Sequence, residues 1–432
     1  MNELEQGVYD QAEFIGRLSF KELPQAVKQR AAWVVLDSIG CILKGLGEKK
    51  IPVDKDDAVI AVTEAMVSTE LYEGNRKAVG HPACHILPYL FITCQDKPVE
   101  EFYRAFVAAY EIASHWGAAI HFPNHVLGHG TMMTTGVAAA VAVMQELPVE
   151  ETYELLLLAA SLPQVSVWQS VYDGSRLHDV YAGIAAVVTD HLLPLVKRGV
   201  KSDGKIVESV YREVMGADIF PEKLSKGLGT EYVICSNYFK VHTGCRFIHP
   251  FADVLKEELT QGLSKDQVEG IDVFTYKKAA QIADESVPND LAAKFSMPVS
   301  LAVLLEKGSL SPDTIRNCEK DAAVTRWTGK IHLHEDTSYN ALLPEKRGGR
   351  IELHLKDGEN KIIETFHAIG DFDNPRPYTE EELKEKFQEN SKGRMTAQEI
   401  NLMEQRILEE QDGILGDVIS VFYKKVGICA YE

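Results

Sequence analysis

At 432 residues, with 45% apolar and 25% charged residues, the chain carries enough apolar material for more than one globular core, which excludes a disordered or fibrous protein. A net charge of -19 without any basic run excludes a nucleic-acid binder, and positive contacts to an anionic ligand must be local. Seven cysteines without a CxxC pair read as reduced thiols of a cytoplasmic protein, the polar start MNELEQGVYDQ reads as no signal peptide, and no apolar run reads as membrane-spanning.

Leu23 to Leu46 has apolar residues at helical spacing, and Asp56 to Glu70 reads as a second helix. Gly74, Gly80 and Pro82 interrupt the next stretch. Pro82 suits a first helical turn, so His81 stands at a helix start. Glu101 to Ile120 is helical, rich in alanine and aromatics. The stretch from His115 to Val143, HWGAAIHFPNHVLGHGTMMTTGVAAAVAV, reads as the end of one buried helix, a loop, and a second helix opening at Gly130-Thr131-Met132. His129 precedes that opening. Free amides and the helix dipole favour an anion there, so an imidazole beside them suits proton transfer on a carboxylate. Three further helical segments reach about Lys197, interrupted by a polar loop near Ser175.

Tyr232 to His242 is extended in character, and Arg246 to Leu259 is helical. From about Lys265 the texture changes. GIDVFTYKKAA, GKIHLHED, GRIELHLKDG and NKIIETFHAIG read as strands, with a hairpin at Lys356-Asp357-Gly358 and a helix over Asp290 to Lys307. Thr379 to Tyr423 returns to amphipathic helices. The fold expected is mainly α with an α+β second domain: an all-α helical domain at 1–262, a smaller α+β lid at 263–392, and C-terminal helices at 393–432 that return to the helical domain.

Several residues have the chemistry of a site. Lys240, in the apolar-aromatic run SNYFKVH, is followed by Arg246 and His249, a candidate anion cluster in which Arg246 offers two-pronged carboxylate recognition. Glu70 and Glu73, three apart on a helix end, share a face and can supply a base or orient a histidine. Ser175, Arg176 and His178 sit in a polar loop between buried helices. His121, His125 and His129 have i, i+4, i+8 spacing, but Pro123, Gly128 and Gly130 break such a helix, and no metal site is expected. Cys245 reads as a buried structural thiol.

In order along the chain stand VVLDSIGCILKG, HPACHILP, GHGTMMTTGVAAAVAV, GSRLHDVYAGIAA, YFKVHTGCRFIH and AAKFSMPVSLAVLLEKG. Together they resemble the MmgE/PrpD family of 2-methylcitrate dehydratases, cis-aconitate decarboxylases and an iminodisuccinate epimerase. The resemblance implies a large all-α domain with a smaller α+β lid, an active site between them, no metal or organic cofactor, and a homodimer. It also implies catalytic roles for His81, His129 and Lys240. Three positions depart from the family pattern. Glu70-Leu71-Tyr72-Glu73-Gly74-Asn75 stands where members carry Asp-Asp-Thr, Ser175 where many carry a lysine, and Val299 where a tyrosine is common.

The function expected is a cofactor-independent lyase, a dehydratase or decarboxylase, acting on a small di- or tricarboxylate by general acid/base catalysis with His81 and His129. Lys240, Arg246 and Arg176 would bind the substrate, with Ser175, His178, Glu70 and Glu73 around it. The alternatives are an epimerase of a small dicarboxylate and a non-catalytic member whose cleft is plugged by Val299. No nucleic-acid or membrane partner is expected.

Overall fold

The computed structural model of the chain describes residues 1–128, 130–343, 345–409 and 412–428. The first two hundred residues fold into α1 (Glu3–Arg17), α2 (Gln25–Leu46), α3 (Lys55–Ser68), α4 (Pro82–Thr93), α5 (Val99–Ala119), α6 (Thr134–Met144), α7 (Val149–Ser161) and α8 (Leu177–Asp190). The centre is α2, buried on every side from Ala31 to Leu43. Such a helix is apolar all round because it has no solvent face. The helices α5 and α6 approach closely through small residues. A Cβ on Gly136 would lie 2.7 Å from the Ala113 methyl and 2.8 Å from the Ala109 carbonyl oxygen.

A second core forms around a four-stranded sheet. Its strands are β1 (Val268–Thr275), β2 (Ile331–Glu335), β3 (Gly349–Leu355) and β4 (Asn360–Thr365), in the order β4-β3-β1-β2. The pair β1 and β2 is parallel and the other pairs are antiparallel. Along β3, Ile351, Leu353 and Leu355 are buried while Arg350, Glu352 and His354 alternate on the other face, the period-two pattern of a half-covered sheet. Two helices, α9 (His249–Thr260) and α10 (Met297–Lys307), join this core. The tail then returns to the first core as α11 (Glu380–Ser391), α12 (Ala397–Glu409) and α13 (Ser420–Val426).

The apolar cores divide the chain a little differently from the expected boundaries. The first takes residues from Leu4 to Phe239 and from Leu383 to Ile428; the second takes Val171 and residues from Cys245 to Leu355. So α9, before 263, packs in the second core through Phe251, Ala252 and Leu255. Likewise α11, before 393, packs on α2, where Phe387 lies 3.1 Å from a Cβ position on Gly40. The two crossings between cores meet, because the Phe239 amide donates to the Gly370 carbonyl at 3.2 Å. Gly370 has φ +91° and a Cβ there would meet the Phe239 carbonyl at 2.2 Å, so only glycine lets the strands touch.

Two local expectations are corrected. The helix at Asp290–Lys307 is split into a single turn at Asp290–Ala293 and α10, because Pro298 belongs in a first turn and the Ser296 hydroxyl caps the Val299 amide. Tyr232 to His242 is not continuously extended; a 3-10 turn at Val233–Ser236 precedes a short pairing of Asn237–Tyr238 with Gly74–Asn75. One stretch, Leu177–Lys197, is long and apolar enough by composition to cross a membrane, although half of its most apolar window is buried inside the protein. Within it α8 ends at Asp190, and a separate helical turn begins at Leu193.

Candidate active site

A cavity of about 870 Å³ lies where the cores meet. The helical part lines it with Glu70, His81, His85 and Met133, and the other part with Arg246 and Phe295 among others. One constrained element beside it is the turn after α3. Glu70 has φ +48°, a left-handed conformation that a non-glycine residue adopts at a cost of about 1–3 kcal/mol. The turn is clamped from across the cavity. The Gly244 amide donates to the Glu70 carbonyl at 3.0 Å, the Lys294 ammonium to the Ser68 carbonyl at 2.9 Å, and the Thr243 hydroxyl to the Thr69 carbonyl.

That conformation aims the Glu70 carboxylate inward. Lys240 lies 2.7 Å from Oε2, the Tyr72 hydroxyl donates to Oε1 at 2.9 Å, and His178 Nε2 is 3.5 Å from Oε1. All four residues are buried. Burial alone would raise the Glu70 carboxyl, but the Lys240 ammonium, with His178 and His81 behind it, outweighs burial and holds it at about 2. Lys240 also sits 4.8 Å over the Tyr72 ring.

His81 is the N-cap residue of α4, with Pro82 in the first turn. Its Nδ1 is 2.7 Å from the Glu73 carbonyl oxygen. A carbonyl only accepts, so Nδ1 carries the proton and the neutral ring has its lone pair on Nε2. Burial and the nearby Lys240 charge pull the imidazole down to about 3, against the pull of Glu70, so His81 is neutral at physiological pH. Gly74 permits this arrangement. A Cβ there would be 2.3 Å from the Tyr238 hydroxyl and 2.7 Å from His81 Nδ1.

His85, one turn along α4, has its tautomer fixed in the same way. Its Nδ1 faces the His81 carbonyl at 2.9 Å, and its Nε2 accepts from the Gly130 amide at 2.7 Å. Burial pulls it down to about 4. His85 therefore ties the helix carrying His81 to the loop that contains position 129.

Glu73 is held by the Ala83 amide at 3.0 Å and the Tyr110 hydroxyl at 2.9 Å. Burial outweighs those bonds and pushes its carboxyl up to about 7. A group raised in the folded state binds its proton more tightly there than in the unfolded chain. Its stabilising contribution is whole below the usual glutamate value and is lost as pH rises towards 7. Glu111, pushed up to about 7 by burial, acts in the same sense. Glu73→Gln is accordingly expected to flatten the fall in melting temperature between pH 5 and 8. An unchanged pH slope in the variant would show that Glu73 is already ionised in the fold.

The residues singled out from sequence are thus distributed unevenly. Glu70, His81, Lys240 and Arg246 line the cavity, and His178 stands behind Glu70. Arg246 is neutralised by Asp371 at 2.6 Å, with its guanidinium 4.4 Å over the Tyr238 ring. Arg176 is not brought in. It is mostly exposed, paired with Glu64 and Asp179, and lines a separate pocket of about 260 Å³. Ser175 is exposed and caps the Leu177 amide. Glu70 and Glu73 do not share a helix face, since α3 ends at Ser68 and both lie in the buried turn beyond it. His129 lies outside the described residues. The helix after it starts at Thr134 rather than at Gly130, and the Gly130 amide is already bonded to His85. Val299 is buried in the second core and does not plug the cavity. Cys245 lines the cavity, and burial pushes its thiol up to about 11. Among the described residues the one trio with metal-ligand reach is His367, Asp371 and Asp373; its carboxylates are engaged by Arg246 and Arg76.

Residues 52–216 match the family model of the MmgE/PrpD N-terminal domain, and residues 242–410 match that of the MmgE/PrpD C-terminal domain. The chain belongs to the MmgE/PrpD family. Among curated proteins none matches it. MmgE/PrpD membership makes it part of a mostly enzymatic family of dehydratase-type lyases. The join between the matched domains, residues 217–241, contains Lys240 and the short strand Asn237–Tyr238, which pairs with Gly74–Asn75.

Proposed function

We propose that this MmgE/PrpD protein is a lyase that removes water or carbon dioxide from a small di- or tricarboxylate, such as 2-methylcitrate, citrate or cis-aconitate, with its own side chains as acid and base. The observation that carries this reading is the neutral His81, its lone pair fixed on Nε2, lining a cavity beside the buried Lys240–Glu70 pair. An imidazole already neutral at pH 7 takes a proton alpha to a carboxylate without first losing one. The negative charge that then develops on the substrate is stabilised by the Lys240 ammonium, whose position is set beforehand by Glu70 and Tyr72. His129 is the candidate for the second proton transfer. Arg246, already on Asp371, orients the wall rather than serving as an open anion receptor.

The test is proton NMR in D2O with 2-methylcitrate, citrate, cis-aconitate and iminodisuccinate. Loss of water or carbon dioxide from one of them, abolished in His81→Ala, is the expected result. Deuterium uptake or racemisation without loss of mass would replace the lyase with an epimerase. No change in any of the four would remove support for this substrate class.

A further inference from the structure

The cations around the cavity differ in whether the protein itself neutralises them. Lys240 is taken by Glu70, Arg246 by Asp371, and Arg76 by Asp373. Lys77, Lys223, Lys278 and Arg347 line the same cavity without an ion pair among the described residues; Lys77 and Lys223 belong to the helical part and rest over the Phe372 and Phe220 rings, which leaves Lys278 and Arg347 on the sheet-bearing part. Lys278 lies in the helical turn Lys277–Ala280 that follows β1, with its ammonium 5.2 Å over the Trp168 ring. Arg347 lies on the approach to β3.

The two charges sense one another. Burial pulls the Lys278 ammonium below the usual lysine range; Cys245 opposes it, and a smaller repulsion from Arg347 adds to it. Cys245 is no counter-ion, since burial keeps its thiol protonated at neutral pH. A second observation lies near this wall, just outside the residues that line the cavity. The Tyr276 hydroxyl is buried and has no hydrogen-bond partner among the described residues. It lies within electrostatic reach of Arg347, Cys245, Tyr238 and Arg246. Two partly desolvated cations without a carboxylate leave the free protein with positive charge in the cavity wall that an anionic ligand would satisfy, and the unsatisfied Tyr276 hydroxyl within electrostatic reach of Arg347 adds a polar group behind that wall.

We propose that Lys278 and Arg347, with the Tyr276 hydroxyl behind them, form the subsite that receives a remote carboxylate of the substrate. The inference rests on the carboxylate-lyase reading and deepens it. The reacting end of the substrate sits at His81 and Lys240 on the helical part, while its far carboxylate is anchored from the sheet-bearing part. Arg347 supplies a planar fork and Lys278 a point charge, a combination that selects substrates with at least two anionic ends. Anchoring at a distance from the chemistry also restrains the alpha carbon against the base.

The experiment uses the full chain and propane-1,2,3-tricarboxylate, which has no hydroxyl to eliminate, with butyrate as the single-charge control. Binding is followed by calorimetry and by the ligand-induced shift in melting temperature. Lys278→Met and Arg347→Met are each expected to weaken tricarboxylate binding at least tenfold and to leave the much weaker butyrate binding unchanged. Lys278→Gln and Arg347→Gln are carried in parallel, and variants are compared only where the ligand-free melting temperature matches wild type. For a substrate that turns over, KM is expected to rise more than kcat falls. If every folded variant binds the tricarboxylate as tightly as wild type, the subsite is wrong and the lyase reading stands. If wild type binds no carboxylate at all, the subsite and that reading fall together.

Discussion

His81→Ala is expected to lower kcat/KM by about 10²–10⁴-fold, the range that a positioned general base contributes. Alanine removes the ring but leaves the backbone carbonyl that accepts from His85, so α4 and its link to Gly130 should persist. Added imidazole should restore part of the lost rate, because the deleted ring leaves room in a cavity already open to small ligands. His85→Ala separates chemistry from positioning. It should also reduce the rate, by loosening the Gly130 contact, yet imidazole should not rescue it. Equal rescue of both variants, or a loss at His81 of less than about tenfold, would remove the proton-transfer role from His81.

The second large effect is on stability. Lys240→Met is expected to cost about 3–5 kcal/mol in denaturant unfolding, since it strands the Glu70 carboxylate in a dry interior. Tyr72 and His178, with His81 farther off, then remain near that charge among the described residues. Glu70→Gln in the same chain should return much of the loss, because a neutral amide needs no counter-ion. Double-mutant coupling below about 1 kcal/mol would place the pair in a solvated environment. The pH dependence of wild type carries the same information with its own sign. Glu70 is depressed to about 2, so its contribution is present above the usual glutamate value and is lost as pH falls from there towards 2. Lys240→Met should therefore flatten the acid side of the stability profile, whereas Glu73→Gln acts between pH 5 and 8.

Much of the architecture was legible because its signals are local. Helical spacing located α2 and α5, alternation located β3, and the Asp357-Gly358 turn located the hairpin to β4. The helix break at Ser296 was legible too, since Pro298 can only stand in a first turn; reading through it merged two helices. The site was legible as residue types but not as pairings. Nothing within SNYFKVH indicates that Lys240 is matched by Glu70, some 170 positions away, so that pairing is legible only in the fold. Glu70 and Glu73 read as one face of a helix end because helical spacing extends in sequence past the point where a left-handed residue turns the chain inward. His85 carried a usable signal, four residues from His81 on the same helix face, and was overlooked. Lys278 and Arg347 carried none, since a cation without a counter-ion is recognisable only once the other partners are assigned.

The contact between Phe239 and Gly370 also has a consequence in time. The helical core cannot close until α11 and α13 have been made, because Phe387 and Phe422 fill space against earlier helices. At about 5–20 residues per second, the ribosome needs on the order of 10 to 40 seconds to pass from Phe239 to the last of these helices. Through that interval the face of α2 that Phe387 will cover waits exposed while the sheet-bearing part emerges. The stage most open to aggregation therefore falls before the active site can form.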